Sequence, residues 1–224
     1  MVTPELAKPL LHALQTKQAH LAMRSGPLIR FRPEIAPFAV VVEPGVCCNT
    51  EDLALREAIY VVDETPEIPQ TWTQSTPSRF GRFLYEGKVE PPVRLEGETE
   101  LDARNAEEMM ELTKVASPGF FRPEIVRAGR YIGLRLGGEL VAMAGERLQT
   151  TNYSEVSGVC TRPEHTGRGY ARHLMLRIMH GQQARGLTPF LHVDEGNSRA
   201  RMLYEHMGFK LVQHVTVTRL ERTG

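Results

Sequence analysis

Cysteine is scarce in this chain, and its scarcity argues against two kinds of scaffold. The 224 residues contain three cysteines, of which Cys47 and Cys48 are adjacent. A disulfide framework needs an even set of spaced cysteines, and a cysteine zinc site needs C-x-x-C pairs, and neither pattern is present. We therefore expect no disulfide framework and no bound metal, and a reducing cytoplasm is the expected location.

Net charge and long apolar runs are also absent. Lysine plus arginine equals aspartate plus glutamate, at 27 each, so no excess charge indicates a nucleic acid or a membrane as a partner. No apolar run reaches the ~18 to 20 residues that a membrane span requires. Residues Met1–Glu5 lack the basic and apolar regions of a signal peptide. The length allows one large domain or two small ones, each with a buried core.

The composition changes near residue 90. Prolines recur between positions 66 and 92 and limit regular structure there. Before them we predict helices at His12–Met23 and Asp52–Arg56 and strands at Phe38–Val42 and Ala58–Val62. This segment contains no nucleotide or metal motif. We predict a partial α/β subdomain at residues 1–91 and a main domain at residues 92–224.

The second segment alternates regularly between predicted strands and helices. Gly137–Gly138 separates two apolar runs and is a strong hairpin signal. An apolar stripe at helical spacing predicts a long helix over Gly167–Arg185. The other predicted strands are Val93–Leu95, Tyr131–Leu136, Glu139–Gly145, Ser154–Thr161, Pro189–Val193, Phe209–Val212 and Val215–Leu220, and the other predicted helical segments are Ala103–Val115, Arg122–Ala128 and Ser198–Met207. This order predicts a mixed α/β sheet.

A strand, a glycine-rich turn and a helix start follow one another within Glu155–Ala171. Glycines allow the backbone to approach a ligand closely, and a helix N-terminus carries about half a positive charge. The pattern therefore indicates a phosphate site, although an ordinary strand-to-helix loop would have the same sequence. No P-loop string is present. A dinucleotide fingerprint is weak because Arg172 stands where a small residue is needed, although Asp194 lies where a ribose-binding acid is expected.

A second motif follows in the helix predicted after Asn197. Asn197 and Tyr204 are two helical turns apart, so they share one face. The asparagine offers an amide to a ligand or caps the helix, and the tyrosine offers a phenol that can donate a proton. The alternative interpretation is a core stripe of Ala200, Leu203, Tyr204 and Met207 behind a capping asparagine.

Together the two motifs resemble those of the GNAT superfamily of acyl-CoA-dependent N-acetyltransferases. Members carry a Q/R-x-x-G-x-G/A turn after their fourth strand, and residues 166–171 are similar to it, with Thr166 in place of the usual Gln or Arg. Their N-x-x-A-x-x-x-Y-x-x-x-G-F helix is matched at Asn197, Ala200, Tyr204, Gly208 and Phe209. The resemblance covers residues 92–224 and implies a GNAT-like α/β fold. Residues 1–91 resemble a degenerate GNAT half.

The resemblance implies transfer of an acetyl group from acetyl-CoA to a primary amine by direct attack in a ternary complex. The backbone of the strand at residues 159–161 would bind the pantetheine arm, the glycine turn the pyrophosphate, and Tyr204 would protonate the leaving thiolate. A CoA-binding sensor or scaffold without transferase activity is the alternative, and Thr166 favours it. The implied cofactor-binding residues are Val159, Cys160, Thr161, Thr166, Gly167, Arg168, Gly169, Tyr170, Ala171 and Asn197.

An ammonium group cannot attack a thioester, so the reaction needs a base, acting directly or through water. Glu155 resembles the base glutamate of some family members in its offset from the glycine turn, and that role requires a raised pKa. His192 is the alternative base, and an ion-paired Glu155 is the alternative structural interpretation. The expected acceptor is a small-molecule or peptide amine whose identity no motif indicates. A homodimer is compatible with the sequence.

Overall fold

The computed structural model describes residues 2–116 and 120–224, whose strands form one large mixed sheet. The strands are β1 (Ala22–Ser25), β2 (Leu28–Phe31), β3 (Phe38–Val41), β4 (Ala58–Val62), β5 (Trp72–Gln74), β6 (Ser78–Leu84), β7 (Glu98–Leu101), β8 (Tyr131–Leu136), β9 (Glu139–Gln149), β10 (Tyr153–Thr161), β11 (Thr188–Asp194) and β12 (Lys210–Arg222). The helices are α1 (Pro4–Ala7), α2 (Pro9–Gln15), α3 (Ala106–Ala116), α4 (Tyr170–Ala184) and α5 (Ser198–His206). The predicted mixed α/β class is confirmed. Within the described ranges, no helix has the length and apolar character needed to cross a bilayer.

The pattern of antiparallel and parallel strand pairs is the same when the sheet is followed outward from β12 or from β6. The strand order runs β1-β2-β3-β4-β12-β6-β11-β10-β9-β8-β7, with β5 paired to β12 off this path. Strands β3 and β4 pair in parallel, as do β10 and β11, while the other pairs are antiparallel. The centre holds one strand from each end of the chain. The C-terminal β12 pairs with β4, and β6, from the N-terminal segment, pairs with β11.

The pairing of strands from both segments at the centre of the sheet bears on the predicted division of the chain into two domains. Residues 1–91 contain β6, which lies between β11 and β12 and pairs with both. The boundary at residues 91 and 92 stays a prediction, because the two segments share one continuous sheet. The two parallel pairs, one in each segment, give the segments a common topology.

The helices cover the two faces of the sheet over separate apolar cores. Helices α1, α2 and α3 contribute to the core on one face, and α4 and α5 to the core on the other. The stripe predicted for α4 is fully buried: Leu174, Met175, Ile178 and Met179 are each 0% exposed. At about 1.5–3 kcal/mol for each fully buried apolar side chain, this stripe fixes α4 firmly on β8, β9 and β10.

Several predicted elements differ from the structure. The helix predicted at Asp52–Arg56 is absent, and Thr50–Asp52 forms a single 3₁₀ turn in which the Asp52 carboxylate accepts from the Asn49 N–H. The helical segment predicted at Arg122–Ala128 is a 3₁₀ turn at Ile125–Arg127. The helix predicted to reach Met23 ends at Gln15, because the Gln18 amide bonds instead to two distant carbonyls, those of Ala128 and Arg147. The strand predicted at Val93–Leu95 is absent, since those residues directly follow two prolines and have no regular structure; the next strand is β7 at Glu98–Leu101. The two strands predicted at the C-terminus are one, β12, in which a bulge near residue 212 accommodates the polar interruption.

Candidate active site

The parallel strands β10 and β11 separate soon after they pair. Their register runs from Tyr153 and Thr188 to Glu155 and Phe190 and stops there. Beyond that point β10 pairs with β9 alone, up to Thr161. The edge of β10 that faces β11 is therefore open among the described strands, and its backbone N–H and C=O groups are available to an added ligand.

A cavity of about 520 Å³ opens where the two strands separate. One wall is formed by residues 156–160 of β10, and the opposite wall by Val193 of β11 with Asn197 and Tyr204 at helix α5. Gly158 bends β10 beside the cavity, with a φ of +62°, and an added Cβ there would lie 2.7 Å from the Tyr131 ring. Only glycine fits this bend without displacing that ring.

The glycine turn leads from β10 into α4, and its surface is open. Gly167 and Gly169 have φ values of +80° and +81°, and an added Cβ at either would meet nothing within 4 Å. Helix α4 starts directly after Gly169, without a side-chain cap and without an acidic residue in its first turn. Its first N–H groups therefore lack intrahelical partners and lie at the positive end of the helix dipole.

The side chains around this turn fit a phosphate-bearing ligand in part. Thr166 is exposed, and its hydroxyl donates locally to the Pro163 carbonyl at 2.8 Å. Arg168 and Arg172 are exposed and form no ion pair in the described part of the chain. The buried hydroxyl of Thr161 has no hydrogen-bond partner among the described residues. The turn thus offers backbone N–H groups at the start of α4, with two exposed arginines near Thr166.

Asn197 and Tyr204 both line the cavity, and each also has a structural role. The Asn197 Oδ1 atom caps α5 by accepting from the Ala200 N–H at 3.0 Å. Tyr204 is 9% exposed and packs edge to face against Phe209. Burial raises the pKa of the Tyr204 phenol to about 12, so it carries its proton at neutral pH. The capping and core interpretations are therefore compatible with a position at the cavity wall.

Glu155 lines the cavity and belongs to a network of buried charged and polar side chains. It is 1% exposed and accepts from Arg147 through Nε at 2.8 Å and Nη2 at 2.6 Å. His192 Nδ1 lies 2.8 Å from the same carboxylate, and Arg82 Nε donates to His192 Nε2 at 2.8 Å. An Nε2 atom that accepts must be unprotonated, so His192 is the neutral Nδ1–H tautomer and donates to Glu155.

The electrostatics of this network do not meet the condition set for Glu155 as a base. Burial raises the pKa of Glu155, but the charge of Arg147 and the His192 hydrogen bond outweigh it and lower that pKa to about 2. Burial also lowers the pKa of His192, whose two nitrogens are both hydrogen-bonded. A general base at this position requires a raised pKa, whereas the pKa of Glu155 is lowered. The alternative interpretation of Glu155 as an ion-paired residue is the one that the contacts support.

The motifs gave no indication of three further residues in or beside the cavity. Arg82 on β6 is 1% exposed, and its Nη1 donates to the Leu6 and Ala7 carbonyls at 2.8 Å and to Gln213. Arg147 holds Glu155, and Asp63 follows strand β4 with a φ of +66°. The partners of Arg82 and Asp63 are distant in sequence, so no local pattern indicated either residue.

Comparisons with known proteins bear on the family and the fold. A family model described as FR47-like protein matches residues 131–218. The chain is similar to the crystal structure of a putative GNAT-family acetyltransferase from Novosphingobium aromaticivorans, with 32% identity, coverage of 96% of this chain and 97% of that chain, and a TM-score of 0.84. A search of curated proteins found no match.

Two more distant structures share the fold. A GCN5-related N-acetyltransferase from Kribbella flavida is 20% identical, with coverage of 99% of this chain and 97% of that one and a TM-score of 0.59. A tandem GNAT protein from the clavulanic acid biosynthesis pathway is 14% identical, with coverage of 89% and 80% and a TM-score of 0.55. With the full-length similarity to the Novosphingobium protein, these findings show that the chain belongs to the GNAT family of acetyltransferases and is an acyltransferase.

Proposed function

We propose that this protein transfers the acetyl group of acetyl-CoA to a primary amine by direct attack in a ternary complex. One observation carries the proposal: the open edge of β10 leads directly to the uncapped N-terminus of α4. An extended amide-bearing chain that ends in a pyrophosphate matches both features. Its amides can pair with the strand edge while its phosphates meet the helix N–H groups.

The residues that would hold the cofactor divide into backbone and side-chain contributors. Residues 159–161 would bind the pantetheine arm through their backbone, and the Thr161 hydroxyl, which lacks a partner among the described residues, is a further donor beside it. The amides of residues 167–171 would bind the pyrophosphate, with Arg168 at its side. Asn197 uses its Oδ1 atom in the helix cap, which leaves its Nδ2 donor for the arm.

The thioester supplies an activated acetyl carbon, and the protein manages the protons. Tyr204 would donate its proton to the departing sulfur, and its raised pKa keeps that proton in place until it is needed. Glu155 would orient His192 and neutralise the charge of Arg147 at the cavity wall. The acceptor amine, on a small molecule or a peptide, would enter the remainder of the cavity.

Changing Gly169 to alanine should weaken CoA binding by about tenfold or more. The change costs about 1–2 kcal/mol of folding stability, because an L residue is strained at positive φ, and it also places a methyl group on the phosphate surface. Gly186→Ala is the matched control, since Gly186 has a φ of +75°, equally open surroundings and a position beyond the opposite end of α4. Calorimetric titration with CoA should separate the two variants. Equal affinities would place the phosphates elsewhere, and no binding by the unaltered protein would contradict the proposed function.

Changing Tyr204 to phenylalanine should lower kcat by about 10²-fold and leave the dissociation constant of CoA nearly unchanged. The lost hydroxyl acts on the leaving thiolate, whereas the ring that packs against Phe209 is retained. Steady-state kinetics together with calorimetry test this. An unchanged kcat would remove Tyr204 from the acid role.

The Thr166 hydroxyl is engaged by the Pro163 carbonyl, and this favours a second candidate, a CoA-binding sensor or scaffold without transfer activity. That function needs only the strand edge and the turn. CoA binding without acetyl transfer to any member of a panel of primary amines would support it over the enzyme. Transfer to a single amine would exclude it.

A further inference from the structure

Beyond the cofactor edge, the cavity extends under the N-terminal segment, where its wall is largely apolar. Phe38, Phe80 and Phe120 line it, and the Phe120 ring centroid lies 5.1 Å from that of Phe38 and 6.4 Å from that of Phe80. The Arg147 guanidinium lies 4.3 Å from the centre of the Phe38 ring. Strand β3 therefore contacts a residue of β9, and the two segments of the chain enclose one chamber.

Three carboxylates line this chamber, and two of them are already engaged. Glu155 accepts hydrogen bonds from Arg147 and His192. Asp194 is exposed and accepts from the Gly196 N–H at 2.7 Å. The carboxyl of Asp63 makes no hydrogen bond or ion pair within residues 2–116 and 120–224. Asp63 is thus the carboxylate that remains available to a ligand.

The backbone holds Asp63 firmly in a conformation that few side chains adopt. Its φ is +66°, its N–H donates to the Thr216 carbonyl at 2.8 Å, and its carbonyl accepts from the Thr216 hydroxyl at 2.8 Å. Positive φ costs an ordinary L residue about 1–2 kcal/mol, and such strain is concentrated at functional sites. β12 thereby fixes Asp63 at the wall of the chamber.

The charges around Asp63 leave its carboxylate able to take a proton. Burial raises the pKa of Asp63, and the charges of Arg82 on β6 and Lys8 beside α2 offset this only in part. Farther along the chamber wall, Arg147 is neutralised by Glu155, and His192 is neutral. The direction of the Asp63 shift is the one that a proton acceptor requires, and it is opposite to that of Glu155.

We infer that Asp63 takes the proton of the acceptor's ammonium group and that the acceptor carries this amine on an apolar or aromatic body. The inference rests on the proposed function. The N–H bond breaks and an O–H bond forms on Asp63, directly or through one water. The freed lone pair forms the C–N bond while the C–S bond breaks, and the sulfur receives the Tyr204 proton. The acylated nitrogen then loses its second proton to the Tyr204 phenolate, which leaves a neutral amide, and Asp63 releases its proton to solvent.

Changing Asp63 to asparagine should lower kcat/KM for 2-phenylethylamine by about 10²-fold at pH 7. Asparagine adopts positive φ as readily as aspartate, so the backbone is retained. The deficit should shrink as the pH approaches about 10, the range in which an alkylamine loses its proton without help. Glu64→Gln, at the exposed neighbouring position, is the matched control and should leave kcat/KM unchanged.

Three outcomes separate failure of the inference from failure of the proposed function. CoA binding by the unaltered protein is measured first, and its absence overturns both. If CoA binds and acetyl transfer occurs, equal kcat/KM for Asp63→Asn and the unaltered protein, or a deficit constant from pH 7 to 10, overturns the proton-acceptor role. A kcat/KM for 2-aminoethanol equal to or above that for 2-phenylethylamine overturns the apolar acceptor class.

Discussion

Removal of residues 1–91 should abolish cooperative folding of the remaining chain. The deletion takes β6 from between β11 and β12 and leaves both strands without their shared neighbour. It also removes β4 and β5, the other partners of β12, and it removes Phe83, a core residue that is 1% exposed. Two long unpaired strand edges at the centre of a sheet favour association between molecules over folding.

Urea unfolding, followed by circular dichroism, should show a cooperative transition for the whole chain and none for residues 92–224. The fragment 78–224 is the informative control, because it restores β6 and still lacks the rest of the N-terminal segment. We expect it to recover part of the transition, since β6 returns to the sheet while β12 still lacks β4. A well-folded and fully active fragment 92–224 would contradict the prediction and show that the first 91 residues are dispensable.

Local chemistry along the chain predicted much of the structure of residues 92–224. The hairpin at Gly137–Gly138 joins β8 to β9, and both glycines have positive φ, as the turn requires. The apolar stripe that predicted a helix over Gly167–Arg185 is the buried face of α4, which runs from Tyr170 to Ala184. Each of these features depends on residues within a few positions of one another, so helical periodicity and turn chemistry are enough to predict them.

The features that sequence reasoning missed depend on contacts between distant residues. The insertion of β6 between β11 and β12 follows from pairings that no local pattern encodes. Arg82 meets His192 across 110 positions, and its charge environment exists only after the sheet has formed. For the same reason the direction of the Glu155 pKa shift could not be predicted, because it depends on two partners on neighbouring strands.

Changing Glu155 to glutamine should destabilise the protein by about 3–5 kcal/mol at pH 7, because Arg147 would keep a buried charge without its carboxylate partner. The double variant Glu155→Gln with Arg147→Met removes both charges and should recover most of that loss. Urea unfolding of the two variants at pH 7 measures the difference. A loss below about 1 kcal/mol in the single variant would show that the pair contributes little.

Acid titration of the same variants tests the sign of the Glu155 shift. A pKa lowered from 4.5 to about 2 means that the carboxylate stabilises the fold above pH 4.5, and that this stabilisation disappears as the pH falls from 4.5 to about 2. Glu155→Gln should lack this part of the acid dependence.

The pH profile of catalysis then distinguishes the two roles of Glu155. A base role predicts that the loss of kcat/KM in Glu155→Gln shrinks towards pH 10, whereas the orienting role that we propose predicts a loss independent of pH. If Glu155→Gln recovers at high pH and Asp63→Asn does not, the proton passes to Glu155 and our assignment of the two carboxylates is reversed.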